Sequence, residues 1–127
     1  MTQKGTNNTS SATQQLGGAG NAIVVSQDGI ANSSGVKQSG TGNSSSVLQT
    51  GNLNLSDIVQ AGKNSIVDVQ QTVGSNKSYV TQSANDSAIL VAQTNAGNFS
   101  NVNQTHNTAV TYVQQSGLGN TSYVNQN

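Results

Sequence analysis

The chain has 127 residues, 64 of them Asn, Gln, Ser or Thr, with four Lys, four Asp, no Glu, Arg, Cys or Pro, and zero net charge. Hydrophobic residues make up 31%, against ~45–50% in ordinary soluble domains, which argues against a conventional apolar core and a conventional enzyme fold. Lysines scattered singly (Lys4, Lys37, Lys63, Lys77) argue against a nucleic-acid partner, absent cysteine excludes disulfides and thiolate metal sites, and the longest apolar run, residues 88–92, is far short of the ~20 residues of a membrane helix.

Residues 1–20 lack the apolar stretch of a secretory signal, and the expectation is a mature form given a start codon. Ser10 and Gly18 fall in phase with the pattern of residues 21–127, but Leu16 stands where a glutamine belongs. This stretch is expected to be a flexible N-terminal segment rather than a decayed half-repeat capping one end.

From residue 21 the chain is periodic. Glutamine recurs every eleventh residue at Gln27, Gln38, Gln49, Gln60, Gln71, Gln82, Gln93, Gln104, Gln115 and Gln126. Two places before each stands a β-branched residue: Val25, Val36, Val47, Ile58, Val69, Val80, Val91, Val102, Val113 and Val124. The unit N-x-S-x-V-x-Q-x-G-x-x alternates with period two over seven positions, which predicts a strand with one buried face. The last four positions, rich in Gly, Asn and Ser, predict a tight turn, with left-handed backbone expected at the ninth place, where Gly29, Gly40, Gly51, Gly62 and Gly117 stand.

Even-numbered units are strict, with Asn32, Asn54, Asn76, Asn98 and Asn120 followed by Ser34, Ser56, Ser78, Ser100 and Ser122. Odd units vary at the same places. The true repeat is therefore 22 residues, two strands and two turns, giving repeats at 21–42, 43–64, 65–86, 87–108 and 109–127. An antiparallel meander would set unlike residues opposite each other and leave the Val face uncovered. A coil in which each strand pairs with the one 22 residues later stacks like on like about 4.8 Å apart, so that Gln and Asn amides bond in ladders. Burying an amide unpaired costs roughly 1–3 kcal/mol, which decides for the coil. The predicted fold is all-β, a two-sheet parallel β-solenoid with a 21–127 repeat domain, polymerising end to end. Ile23, Val67 and Ile89 are expected to meet Val36, Val80 and Val102 across the core, and charges to stay outside: Lys37, Asp57, Asp68 and Lys77 outward, Asp28, Lys63 and Asp86 in turns.

These residues resemble the curlin family, subunits of bacterial curli amyloid fibres, whose repeat is similar to S-x5-Q-x-G-x2-N-x-A-x3-Q. Ser87, Gln93, Asn98 and Gln104 carry its Ser, both Gln and its Asn; Asn21 to Gln38 carries Gln27, Gly29, Asn32 and Gln38, with Ser34 for the Ala. Val73, Asn95, Ala84 and His106 depart from Gly at turns. The resemblance implies an extracellular structural homopolymer of the cell surface, exported unfolded through an outer-membrane channel, templated by a nucleator subunit, and serving biofilm matrix, aggregation and adhesion. Residues 109–127 are uncharged, whereas the family's nucleator tends to end on a basic repeat, so the major subunit is favoured over the minor nucleator.

The sequence adds its own argument for polymerisation. No capping repeat is legible, and residues 87–127 carry no Asp, Glu, Lys or Arg, leaving a neutral template for another copy. Asp57, Lys63, Asp68, Lys77 and Asp86 are gatekeeper candidates, expected to stack on one another in a fibre and slow premature assembly.

Other chemistry has little support. His106 is a lone turn histidine, Asp57 and Asp68 fall on opposite sheets, and neither Gly18-Ala19-Gly20 nor Gly62-Lys63 makes a phosphate loop. No catalytic, metal or cofactor site is expected. The sequons at Asn32, Asn54, Asn76, Asn98 and Asn120 fall at inward positions, and Tyr79, Phe99, Tyr112 and Tyr123 read as isolated outward aromatics. A monomeric solenoid binding ice or carbohydrate would need a regular exterior. The outward fourth place instead reads Val24, Gly35, Ser46, Asp57, Asp68, Tyr79, Leu90, Asn101, Tyr112, Tyr123.

Overall fold

The computed structural model describes residues 1–15 and 19–127. Among these there are twelve strands and no helix: β1 (Thr2–Thr6), β2 (Thr9–Gln14), β3 (Ala22–Ile30), β4 (Ser33–Gln38), β5 (Ser44–Asn52), β6 (Leu55–Gln60), β7 (Ile66–Gly74), β8 (Lys77–Gln82), β9 (Ala88–Gln93), β10 (Phe99–Gln104), β11 (Val110–Gln115) and β12 (Thr121–Gln126). Odd strands form one six-stranded sheet and even strands another. All pairings are parallel, and between β3 and β12 each residue pairs with the one 22 places on: Gln27 with Gln49, Val80 with Val102, Gln104 with Gln126. The result is a parallel β-solenoid of about six coils.

The alternation explains why the sheets face each other. Inward β-branched residues form one cluster (Val25, Val36, Val47, Ile58, Val67, Val69, Val80, Ile89, Val91, Val102, Val113) with Ile23 and Val124 packed at its edge. Each fully buried aliphatic contributes roughly 1.5–3 kcal/mol. No cluster member is charged, and the charged side chains lie outside.

Three features depart from the sequence reading. First, residues 1–15 are not a loose segment: β1 pairs with β3 and β2 with β4, adding a sixth coil. The register there is 24 rather than 22, with Gln3 opposite Gln27 and Gln14 opposite Gln38. Asn8-x-Ser10-x-Ala12-x-Gln14 is thus an even unit displaced by two residues, which hides it from a strict period. Leu16 and Gly18, the first residue of the Gly18-Ala19-Gly20 run, lie outside the described residues.

Second, β3, β5 and β7 continue past the glutamine through the tenth place, so Asp28 lies in a strand, stacked between Lys4 and Thr50. Third, the left-handed place common to every repeat turn is the eleventh, not the ninth. Gly20, Ala31, Gly42, Leu53, Asn64, Ser75, Asp86, Gly97, Thr108 and Gly119 all have positive φ. The ninth is left-handed in every odd-to-even turn, including Val73 (φ 80°) and Asn95, but in the even-to-odd turns only at Gly40 among Gly40, Gly62, Ala84 and His106. Each turn must aim the chain from one sheet to the other just before the inward Asn column, and that reversal sits at the eleventh residue whatever its side chain.

Candidate functional site

The chemistry of this molecule lies in its columns. On the odd sheet, Gln3 Nε2 donates to Gln27 Oε1, Gln27 to Gln49, Gln49 to Gln71, Gln71 to Gln93 and Gln93 to Gln115, at 2.6–2.8 Å. On the even sheet Gln14 donates to Gln38 at 3.3 Å, and Gln38 to Gln60, Gln60 to Gln82, Gln82 to Gln104 and Gln104 to Gln126 at 2.8–3.0 Å. Every bond runs in one direction, from the lower coil to the higher. In most of these glutamines the second N–H fixes that direction by reaching a backbone carbonyl of the opposite sheet, as Gln27 to Thr9, Gln49 to Ser33, Gln71 to Leu55 and Gln38 to Ala22; in Gln104 it reaches the Thr111 hydroxyl instead. Turning an amide over would lose both bonds.

The Asn columns work differently from the expected amide-on-amide ladder. Asn32, Asn54, Asn76 and Asn98 are fully buried, and each side-chain Oδ1 accepts the backbone N–H of the Asn one coil higher, at 2.9–3.1 Å. Their Nδ2 atoms donate to backbone carbonyls four residues earlier, such as Thr50 in β5 and Thr72 in β7; only at the end of the column, among the described residues, does an Asn amide reach its neighbour's, Asn120 Nδ2 donating to Asn98 Oδ1 at 3.0 Å. One methylene shorter than Gln and seated at the turn exit, Asn reaches backbone before it reaches its neighbour's amide. In the odd column Asn43 plays this part for Ser65, and hydroxyls of Ser65 and Ser87 replace the amide oxygen above. Asn120 sits exposed at the end of its column, so the expectation of burial does not hold for its sequon.

The serines divide into two kinds. Ser45, in the odd sheet, receives Gln38 Nε2 at 3.0 Å and donates to Gln60 Oε1 at 2.9 Å, and Thr111 does the same between Gln104 and Gln126. The even-sheet hydroxyls of Ser10, Ser34, Ser56, Ser78 and Ser100 are buried with no partner. The odd-sheet glutamines spend their second N–H on the carbonyl of the preceding residue (Ser33 before Ser34, Leu55 before Ser56) and pass the hydroxyl by. Not every inward polar group is therefore satisfied by a ladder.

The gatekeeper candidates do not stack on one another: Asp57 lies between Gly35 and Tyr79, Asp68 between Ser46 and Leu90, Lys77 between Leu55 and Phe99. Lys63 bridges to Thr41, and its backbone N–H donates to Asn85 Oδ1; the Asp86 carboxylate accepts Asn64 Nδ2. Coils repeat a column's charge once per molecule, so like charges would be about six strand spacings of ~4.8 Å apart, well beyond a Debye length. Among the described residues the one ion pair is Lys4 with Asp28, at 3.6 Å and exposed. Tyr79, Phe99 and Tyr123 are not isolated; their ring centroids are 5.8 and 5.5 Å apart, and Tyr112 stands exposed on the other sheet.

No cluster of three His, Cys, Asp or Glu that could hold a metal occurs among the described residues, and no helix is long and apolar enough to cross a membrane. One groove of about 430 Å³ opens at the C-terminal end of the stack, lined by Tyr112, Val113, Gln115, Asn120, Ser122 and Val124 among others. It is the upper surface of the last coil, where the core columns stop.

These features define a parallel β-solenoid repeat protein with a polar, ladder-bonded interior and unpaired strands at both ends of the stack. Residues 31–62 match the family model of the curlin-associated repeat. The matched stretch contains β4, β5 and β6, and the same columns continue through the coils on either side. No curated protein matches the chain.

Proposed function

We propose that the chain is a structural subunit that stacks end to end into an extracellular curli-type fibre, as the major subunit rather than the nucleator. The observation that carries this reading is the unpaired strand backbone and unpaired amide groups on the first and last coils, beneath and above ladders that are continuous in between. Parallel edges of this kind template further strands. The C-terminal coils are free of charge, which favours docking, and the lack of a basic last repeat favours the major subunit.

On this reading the partners are other copies of the chain, a nucleator subunit and an outer-membrane export channel, the last two suggested by the family. The fibre would serve biofilm matrix and surface adhesion. The varied exterior argues against a lattice-matching binder that works as a monomer. Freshly purified protein left to stand should form fibres in electron micrographs, sediment, and diffract at the ~4.8 Å strand spacing. Persistence as a compact soluble particle for weeks would refute the reading.

A further inference from the structure

We infer that the coil formed by residues 1–14 is the face that receives the last coil of a second copy, with one polarity only. This rests on the end-to-end reading above and specifies its contact. The amide ladders run one way, so the two ends of the stack carry different groups. On the first coil, Gln3 Oε1 and Gln14 Oε1 accept no bond among the described residues, and the backbone N–H of Asn8 donates none. On the last coil, again among the described residues, Gln126 Nε2 donates none, Gln115 Nε2 gives one N–H to Phe99 O and keeps the other, and Asn120 Oδ1 accepts none.

The two sets match in kind and in column. Gln115 and Gln126 of one copy supply donors to Gln3 and Gln14 of the next, and Asn120 supplies the acceptor for the Asn8 N–H, each in the sense of the bonds inside the molecule. Beside them Ser122 meets Ser10 and Val124 meets Ala12. The outward neighbours of β12 and β2 are Thr121 with Thr9, Tyr123 with Ser11 and Asn125 with Thr13, none charged. Two like ends would meet with strands antiparallel and columns out of line, so neither the parallel pairing nor the one-way ladders would continue across the contact. The two-residue offset within residues 1–20 does not disturb this contact, since it falls between β2 and β3, on the far side of the docking face.

The test is intermolecular contact in fibres grown from a mixture of ¹⁵N-labelled and ¹³C-labelled full-length chains, read by solid-state NMR. The expected cross-peaks join the Gln126 side-chain nitrogen to Gln14 and the Gln115 side-chain nitrogen to Gln3. Cross-peaks joining Gln126 to Gln38 and Gln115 to Gln27 instead would place residues 1–14 outside the stack and overturn the inference, while leaving fibre assembly intact. A kinetic arm uses the Gln3→Leu/Gln14→Leu double variant, whose altered side chains are exposed in the single molecule. Its elongation on wild-type seeds should fall at least tenfold, with the circular dichroism of the monomer retained. Unchanged elongation would also overturn the inference. Failure of the wild-type chain to form fibres at all would instead sink the underlying reading.

Discussion

Ser45 and Ser78 are both buried inward serines, 1% and 0% exposed, yet replacing each by alanine should move stability in opposite directions. Ser78 Oγ has no partner, and a buried hydroxyl left unpaired costs roughly 1–3 kcal/mol. Ser78→Ala removes that cost and leaves a void of one oxygen, for a net gain of about 1 kcal/mol after lost dispersion contacts. Ser45→Ala removes a hydroxyl that accepts from Gln38 and donates to Gln60; Gln38 keeps its bonds to Ala22 and Gln60, so the loss is that of the hydroxyl's own bonds, about 0.5–1.5 kcal/mol. Urea unfolding of soluble monomer by circular dichroism resolves the difference. With m near 1–3 kcal/mol/M, a change of 1 kcal/mol shifts the midpoint by about 0.3–1 M. If Ser78→Ala proved as damaging as Ser45→Ala, the column hydroxyls would have partners that this geometry lacks, and the account of the interior would be wrong.

Val73 is β-branched in the left-handed region and 55% exposed. Val73→Gly should stabilise by about 0.5–1 kcal/mol in the same melt, the relieved strain exceeding glycine's unfolded-state entropy. Its neighbour Gly51 gives the converse: a Cβ there would lie 1.5 Å from the Val73 carbonyl oxygen, so Gly51→Ala should cost at least about 2 kcal/mol. Gln71→Leu strands the Gln49 donor, the Gln93 acceptor and the Leu55 carbonyl, and is expected to cost about 3 kcal/mol or more, whereas exposed Gln70→Leu should stay within about 0.5 kcal/mol; equal effects would show that the ladder contributes nothing. Replacing Asp57, Lys63, Asp68, Lys77 and Asp86 with Ser or Asn should shorten the lag before dye-binding fibres form, because single charges lower the aggregation tendency of unfolded β segments even without stacking. An unchanged lag refutes that role.

The eleven-residue recurrence of Gln and Val, with its 22-residue alternation of strict and variable units, was enough to specify strands, inward faces, parallel pairing and the column each residue occupies. Period two fixes the face of a side chain, and burial of amides admits only a register that pairs them. What the linear order left undetermined was where chemistry depends on reach and direction. The first coil escaped the period because two extra residues between Gln14 and Gln27 displace it, and side-chain identity at the eleventh place does not betray its left-handed backbone. That Asn bonds to backbone while Gln bonds to Gln, that the odd-sheet hydroxyls of Ser45 and Thr111 are satisfied while the even-sheet serine column is not, and that the ladder glutamines point one way follow from side-chain length and the position of the opposite sheet's carbonyls. Those are set only when the two sheets close on each other, and it is that closure which gives the stack two chemically different ends.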